Sequence, residues 1–109
     1  MKTFRTLDLA IELYEQAMNL NTAGHLRDQL LRAASSIPLN LAEGNAKPSV
    51  KEKKRYYQTA YASLKECQTI FKMIKTEDQK ILSTADYLGA SIYKLVDSKL
   101  TEILQQEKS

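Results

Sequence analysis

Apolar residues recur along this chain at intervals of three and four, the spacing that places them on one side of an α-helix. The first such stretch runs from Leu7 to Leu20. Leu7, Ala10, Ile11, Tyr14, Ala17 and Met18 form its apolar side, with Asp8, Glu12 and Glu15 on the other. Asn19, Asn21 and Gly24 read as its end. A second pattern starts near His25 or Leu26 and carries Leu30, Ala33, Ala34, Ile37 and Leu41 to Gly44. Pro38 falls inside it, where a proline removes a backbone hydrogen bond and costs about 3 kcal/mol. Either one helix kinks there, or it breaks and Ser35 or Ser36 caps a new turn. The apolar stripe keeps its phase across the proline, which favours the kink. Gly44-Asn45 reads as a C-terminal stop.

Ser49 and Glu52 have the Ser-x-x-Glu spacing of a capping box and open a third helix. Its stripe is Tyr57, Ala60, Tyr61, Leu64, Cys67, Phe71 and Ile74, with no Gly or Pro before Thr76. Such a run makes a rod roughly 40 Å long at 1.5 Å per residue. Two pairs compete to cap the last helix, Thr76 with Gln79 and Ser83 with Asp86. Its stripe reads Ile81, Leu82, Ala85, Leu88, Ile92, Leu95, Val96, Leu100 and Ile103, and residues 105–109 are polar enough to fray. Gly89 within it costs about 1 kcal/mol relative to alanine and leaves room for a neighbouring helix. The pattern therefore predicts an all-α protein: an antiparallel up-down-up-down four-helix bundle, kinked at Pro38, forming one domain over residues 1–109. Only 3 glycines and 2 prolines in 109 residues leave too few breakers for a β-sandwich or barrel.

Charge changes the picture locally rather than globally. The net charge is +3, a weak argument for a polyanionic partner by itself. Lys47, Lys51, Lys53, Lys54 and Arg55, broken only by Glu52, contribute a net +4, so the rest of the chain is slightly acidic. Tyr56, Tyr57 and Tyr61 follow at once. Cations of this kind contact phosphates, and tyrosines can stack on unpaired bases. The opposing reading is a solvated helix start with two core tyrosines. Five cations near a helix N-terminus also oppose its dipole.

A second feature is the polar line Arg32, Ser36, Asn40 and Glu43 on the second helix, beside the apolar stripe. Such a row is either a solvated edge or a hydrogen-bonded network buried at an interface. On the third helix Tyr56, Ser63 and Ile70 make a heptad-spaced row away from the main stripe. A second partly apolar face points to self-association.

Catalytic parts are scarce. The single histidine, His25, falls at a turn, and the single cysteine, Cys67, lies on a core stripe. One His and one Cys are too few for a zinc site. The three glycines are too dispersed for a phosphate loop, and Glu-x-x-His pairs of the diiron type do not occur. The sequence implies a binding protein without cofactor rather than an enzyme. With no apolar run of membrane-spanning length and Asp8 and Glu12 near the N-terminus, the expected compartment is the cytoplasm.

The segment Arg32-Ala33-Ala34-Ser35-Ser36-Ile37-Pro38-Leu39-Asn40-Leu41-Ala42-Glu43-Gly44 closely resembles an R-A-x-x-S-I-P-x-N-I-A-E-G signature. That signature marks the bacterial four-helix-bundle proteins encoded in ribosomal-RNA intervening sequences. Ala60 to Glu66 is similar to the same family's A-x-G-S-L-x-E segment, with Ala62 in place of glycine. The first helix departs from the family, reading Asp8-Leu9-Ala10-Ile11 where V-W-x-x-A is usual. The resemblance implies a homo-oligomer, commonly a ring-like pentamer. A related branch serves diversity-generating retroelements and binds nucleic acid and a reverse transcriptase through a basic surface. On that basis RNA or DNA is the expected ligand of Lys47, Lys51, Lys53, Lys54, Arg55 and Tyr56. Arg32, Ser36, Asn40, Glu43 and Ser63 are the expected oligomer interface or polar network.

Overall fold

A computed structural model of the chain describes residues 4–97. Four helices account for nearly all of them: α1 Arg5–Met18, α2 Gly24–Asn45, α3 Val50–Met73 and α4 Gln79–Val96. No strand occurs among the described residues. The continuation of the last stripe through Leu100 and Ile103, and residues 105–109, lie outside them. The chain forms an all-helical bundle in which α2 packs against α1 and α3, and α4 against α3 and α1. The α2–α3 contact is the most extensive, and α1 and α3 stand at opposite corners without a substantial interface.

Every helix turns one side inward, as the spacing requires. Leu30, Ala33, Ala34, Ile37 and Leu41 of α2 are buried, as are Tyr57, Ala60, Leu64, Cys67 and Phe71 of α3 and Ile81, Ala85, Leu88 and Ile92 of α4. In α1 the expected side is met at Ala10 and Ala17, with Leu7 and Tyr14 packed at its margin, but the phase is shifted. The buried line is Thr6, Ala10, Leu13 and Ala17, whereas Ile11 and Met18 are exposed. Apolar residues surround α1 on several sides, so periodicity alone left its orientation open. A tertiary contact decides it: the Thr6 hydroxyl is hydrogen-bonded to the Ser91 hydroxyl of α4, which lets a polar residue take a buried position.

The helix ends explain the connections. α1 stops at Met18, and Gly24, read from the sequence as part of its stop, is instead the first residue of α2. The carbonyls that the end of α1 leaves unpaired are met by a side chain from α2: Arg27 Nη2 donates to Met18 O at 2.9 Å and Nη1 to Leu20 O at 3.1 Å. α2 runs through Pro38 as one helix. Neither serine caps a new turn there, since Ser35 Oγ donates to Arg32 O and Ser36 Oγ is engaged with Ser63.

α2 ends at Asn45, where Gly44-Asn45 is expected to stop it, but Gly44 is not a left-handed cap. It is buried within α2, and a Cβ there would lie 2.9 Å from Tyr56 Cβ and 2.9 Å from Tyr57 Cε1. A glycine at this point lets α2 and α3 approach where they leave the shared connection. Gly89 is less constrained, its Cβ meeting only Leu64 Cδ2 at 3.4 Å.

α3 begins as expected, with Ser49 Oγ accepting from Glu52 N at 3.2 Å. It closes with Thr76 N donating to Phe71 O and Lys75 N to Lys72 O, the paired bonds of a Schellman motif. The motif needs a left-handed residue, and Lys75 takes it at φ 53° where glycine is usual. The cap of α4 is neither expected pair but Asp78, whose carboxylate accepts from Lys80 N at 3.0 Å and Ile81 N at 3.1 Å. Thr76 serves the turn instead, accepting from Asp78 N.

Candidate nucleic-acid interface

Of the five clustered cations, Lys47 lies in the connection between α2 and α3, and the four on α3 point apart because each residue advances about 100° around the axis. Lys53 and Lys47 turn toward the end of α2. Lys53 Nζ donates to Asn45 O at 2.8 Å, where a cation also suits the negative end of the helix dipole. Lys47 lies 3.4 Å from Glu43 Oε1, and its Nζ sits 5.2 Å from the centre of the Tyr56 ring. The electrostatics of Tyr56 beside it, then the hydrogen bond and charge of Glu43, hold the Lys47 ammonium above its ordinary range. These two lysines therefore fasten α2 to α3. That use also answers the dipole objection: part of the positive charge at the start of α3 is spent on the negative end of α2.

Lys51 and Arg55 remain outward, both exposed and neither in an ion pair with any described residue. Lys54 beside them is half-buried. Further along the same helix Lys65 and Lys72 are also exposed. Neither is adjacent to the cluster in sequence, so adjacency does not disclose them. The signal was present as periodicity, since Lys51, Lys65 and Lys72 share a heptad register.

The tyrosines that follow the cluster are not open platforms. Tyr57 is only 7% exposed, its ring 6.3 Å from that of Phe4, and burial pushes its hydroxyl pKa up. Tyr56 is half-buried beneath Lys47, and Tyr61 is half-buried beneath Lys65 Nζ, 5.0 Å from its ring centre. The base-stacking part of the sequence expectation has no free ring to rest on in this cluster.

The polar line of α2 divides in the same way. Ser36 Oγ and Ser63 Oγ share a 2.8 Å hydrogen bond between α2 and α3, and Asn40 Nδ2 donates to Ser36 O at 2.8 Å and to Ser36 Oγ at 3.0 Å. All three residues are half-buried. They join two helices of one chain. Arg32 and Glu43 are exposed and outside that network. The row Tyr56, Ser63 and Ile70, read as a second face, turns inward as well, with Ile70 in the core. Exposed apolar area lies elsewhere, at Leu39, Met73, Tyr87 and Tyr93.

The remaining chemistry-bearing side chains are inert or isolated. Cys67 is fully buried, and desolvation pushes its thiol up to about 12, so it carries no thiolate at neutral pH. His25 is exposed at the start of α2. No group of His, Cys, Asp or Glu suited to a metal ion occurs among the described residues, and no helix among them is long and apolar enough to cross a membrane.

Fold and surface together define a small all-helical bundle with one basic helix face and a polar seam fixing α2 to α3. The sequence model of the 23S rRNA-intervening sequence protein family matches residues 4–106, and the chain belongs to that family. No curated protein and no solved structure matches it.

Proposed function

We propose that the protein is a non-enzymatic, homo-oligomeric bundle that binds nucleic acid, RNA foremost, through the basic face of α3. The observation that carries this reading is the outward pair Lys51 and Arg55, cations of one helix face with no carboxylate of the described residues against them. Unpaired surface cations attract phosphates and release counterions when they bind them. Family membership supports the reading, since the family is described by its place in 23S rRNA. Self-association is supported by Leu39 at 68%, Tyr87 at 70% and Tyr93 at 55% exposure, large apolar side chains that one chain leaves in water. Repeated copies in a ring of five add weak contacts together by avidity.

The test is a titration of RNA and DNA at several salt concentrations between about 50 and 200 mM. The expected result is binding that weakens linearly in log salt, and that the Lys51→Glu/Arg55→Glu variant loses. No binding at the lowest salt would leave the alternative, a protein-interaction adaptor such as a reverse-transcriptase accessory subunit. Sedimentation of the same sample reads the oligomeric state.

A further inference from the structure

The exposed side of α3 carries a regular seam. Lys51, Arg55, Gln58, Ala62, Lys65, Thr69 and Lys72 follow one another at alternating steps of four and three residues, and all seven are exposed. At about 100° per residue they stay within roughly 50° of one line parallel to the helix axis. Four of the seven are cations, and the other three are short or uncharged. The two carboxylates of the helix, Glu52 and Glu66, lie roughly 60–100° round on one flank. From Lys51 to Lys72 the seam extends about 32 Å at 1.5 Å per residue, close to one turn of a B-form DNA duplex, about 34–36 Å.

Three features of the seam select among nucleic acids. It is borne on one unbroken helix of 24 residues with both ends capped. None of its seven residues is aromatic: Tyr57 is in the core, Tyr56 and Tyr61 are half-buried on its flank beside Lys47 and Lys65, and the exposed Tyr93 of α4 is paired with Tyr61 at 6.3 Å between ring centres. Single-strand binders draw much of their affinity from stacking on such rings. Arg55 and Gln58, near one end of the seam, carry the planar forks that make paired hydrogen bonds to a base edge. Lys65, Thr69 and Lys72 further along suit phosphate oxygens, contacts that carry no sequence information.

We propose that this seam, and not only the cluster at its start, is a track for the sugar-phosphate backbone of a double helix, read without regard to sequence, with Lys65 and Lys72 as its far contacts. The proposal rests on the nucleic-acid reading above and deepens it. RNA and DNA duplexes share the chemistry, and separate arms of the test tell them apart.

The experiment measures fluorescence anisotropy of labelled RNA duplex, DNA duplex and single strand of one sequence, each about two turns in length. The intact protein and the Lys65→Gln/Lys72→Gln variant are compared across a salt series, with thermal melting confirming that the variant is folded. The expected result is tighter binding of a duplex than of the single strand. In the variant the slope of log K against log salt on duplex DNA becomes shallower by about 1.8, the share of two phosphate contacts. An unchanged slope in the variant, with the intact protein still binding, overturns the track and leaves the Lys51 and Arg55 reading standing. Preference for the single strand overturns the choice of duplex. Failure of the intact protein to bind any of the three at low salt overturns both proposals together.

Discussion

α1 and α3 occupy opposite corners of the bundle, and they differ in nearly everything that helices can differ in. α1 has 14 residues, carries Asp8, Glu12 and Glu15 against Arg5, and has no side-chain cap at its start. α3 has 24 residues, six cations against two carboxylates, a serine cap and a Schellman end. α3 contains the signals that start and stop it. α1 is held from outside, by the Arg27 guanidinium of α2 at one end and the Ser91 hydroxyl of α4 near the other. The contrast teaches that regular apolar spacing locates a helix, whereas the side that a short helix buries is settled by the partners that hold it. The acidic corner facing away from the basic one also gives the molecule a polarity that its net charge conceals.

Three substitutions probe this contrast, in decreasing order of effect. Gly44→Ala strikes the place where α2 and α3 are closest. The new Cβ must displace Tyr56 Cβ, which sits too near the backbone to swing aside. Overpacking costs about 1–3 kcal/mol, and the helix propensity of alanine returns up to about 1. The expected net loss of about 1–2 kcal/mol lowers Tm by roughly 4–8 °C per kcal/mol in a domain of this size. An unchanged or raised Tm would show that the α2–α3 junction is looser than the geometry requires.

Arg27→Ala acts at the other corner, removing two charge-assisted hydrogen bonds to the end of α1. Because the bonds are in part exposed, the expected loss is about 1–1.5 kcal/mol. Hydrogen exchange should speed up across α1 before it does so in α3. Uniform acceleration over all four helices would mean that α1 does not depend on this contact. Lys75→Gly is the smallest and has the opposite sign. Relief of the left-handed lysine should raise stability by up to about 1 kcal/mol, read as a shift of the denaturation midpoint. A loss instead would show that the lysine side chain contributes more than its backbone costs.

The helices were legible because their apolar spacing is regular and breakers are few. The core of α2, α3 and α4 follows from Leu30 to Leu41, Tyr57 to Phe71 and Ile81 to Ile92 as the spacing gives them. The phase of α1 was not legible, since Thr6 is buried only by virtue of a partner 85 residues away. Nor was the role of Gly44, which looks like a stop in one dimension and is a close contact in three. The basic cluster was half legible. Its charge is plain in the sequence, but the angular step of the helix sends Lys53 to the carbonyl of Asn45 and brings Lys65 and Lys72 into line with Lys51. The pairing of Glu43 with Lys47, and of Ser36 with Ser63, likewise depends on which sides of α2 and α3 meet.

The two corners also supply each other's control in the decisive measurement. Lys51→Glu/Arg55→Glu on α3 and Glu12→Lys/Glu15→Lys on α1 change net charge by equal and opposite amounts at exposed positions. Binding of each to duplex RNA at low salt should show near-complete loss in the α3 variant, with the α1 variant binding at least as well as the unaltered protein. If affinity merely tracks total charge, so that the α1 reversal restores binding when combined with the α3 reversal, the basic face of α3 is not the binding surface.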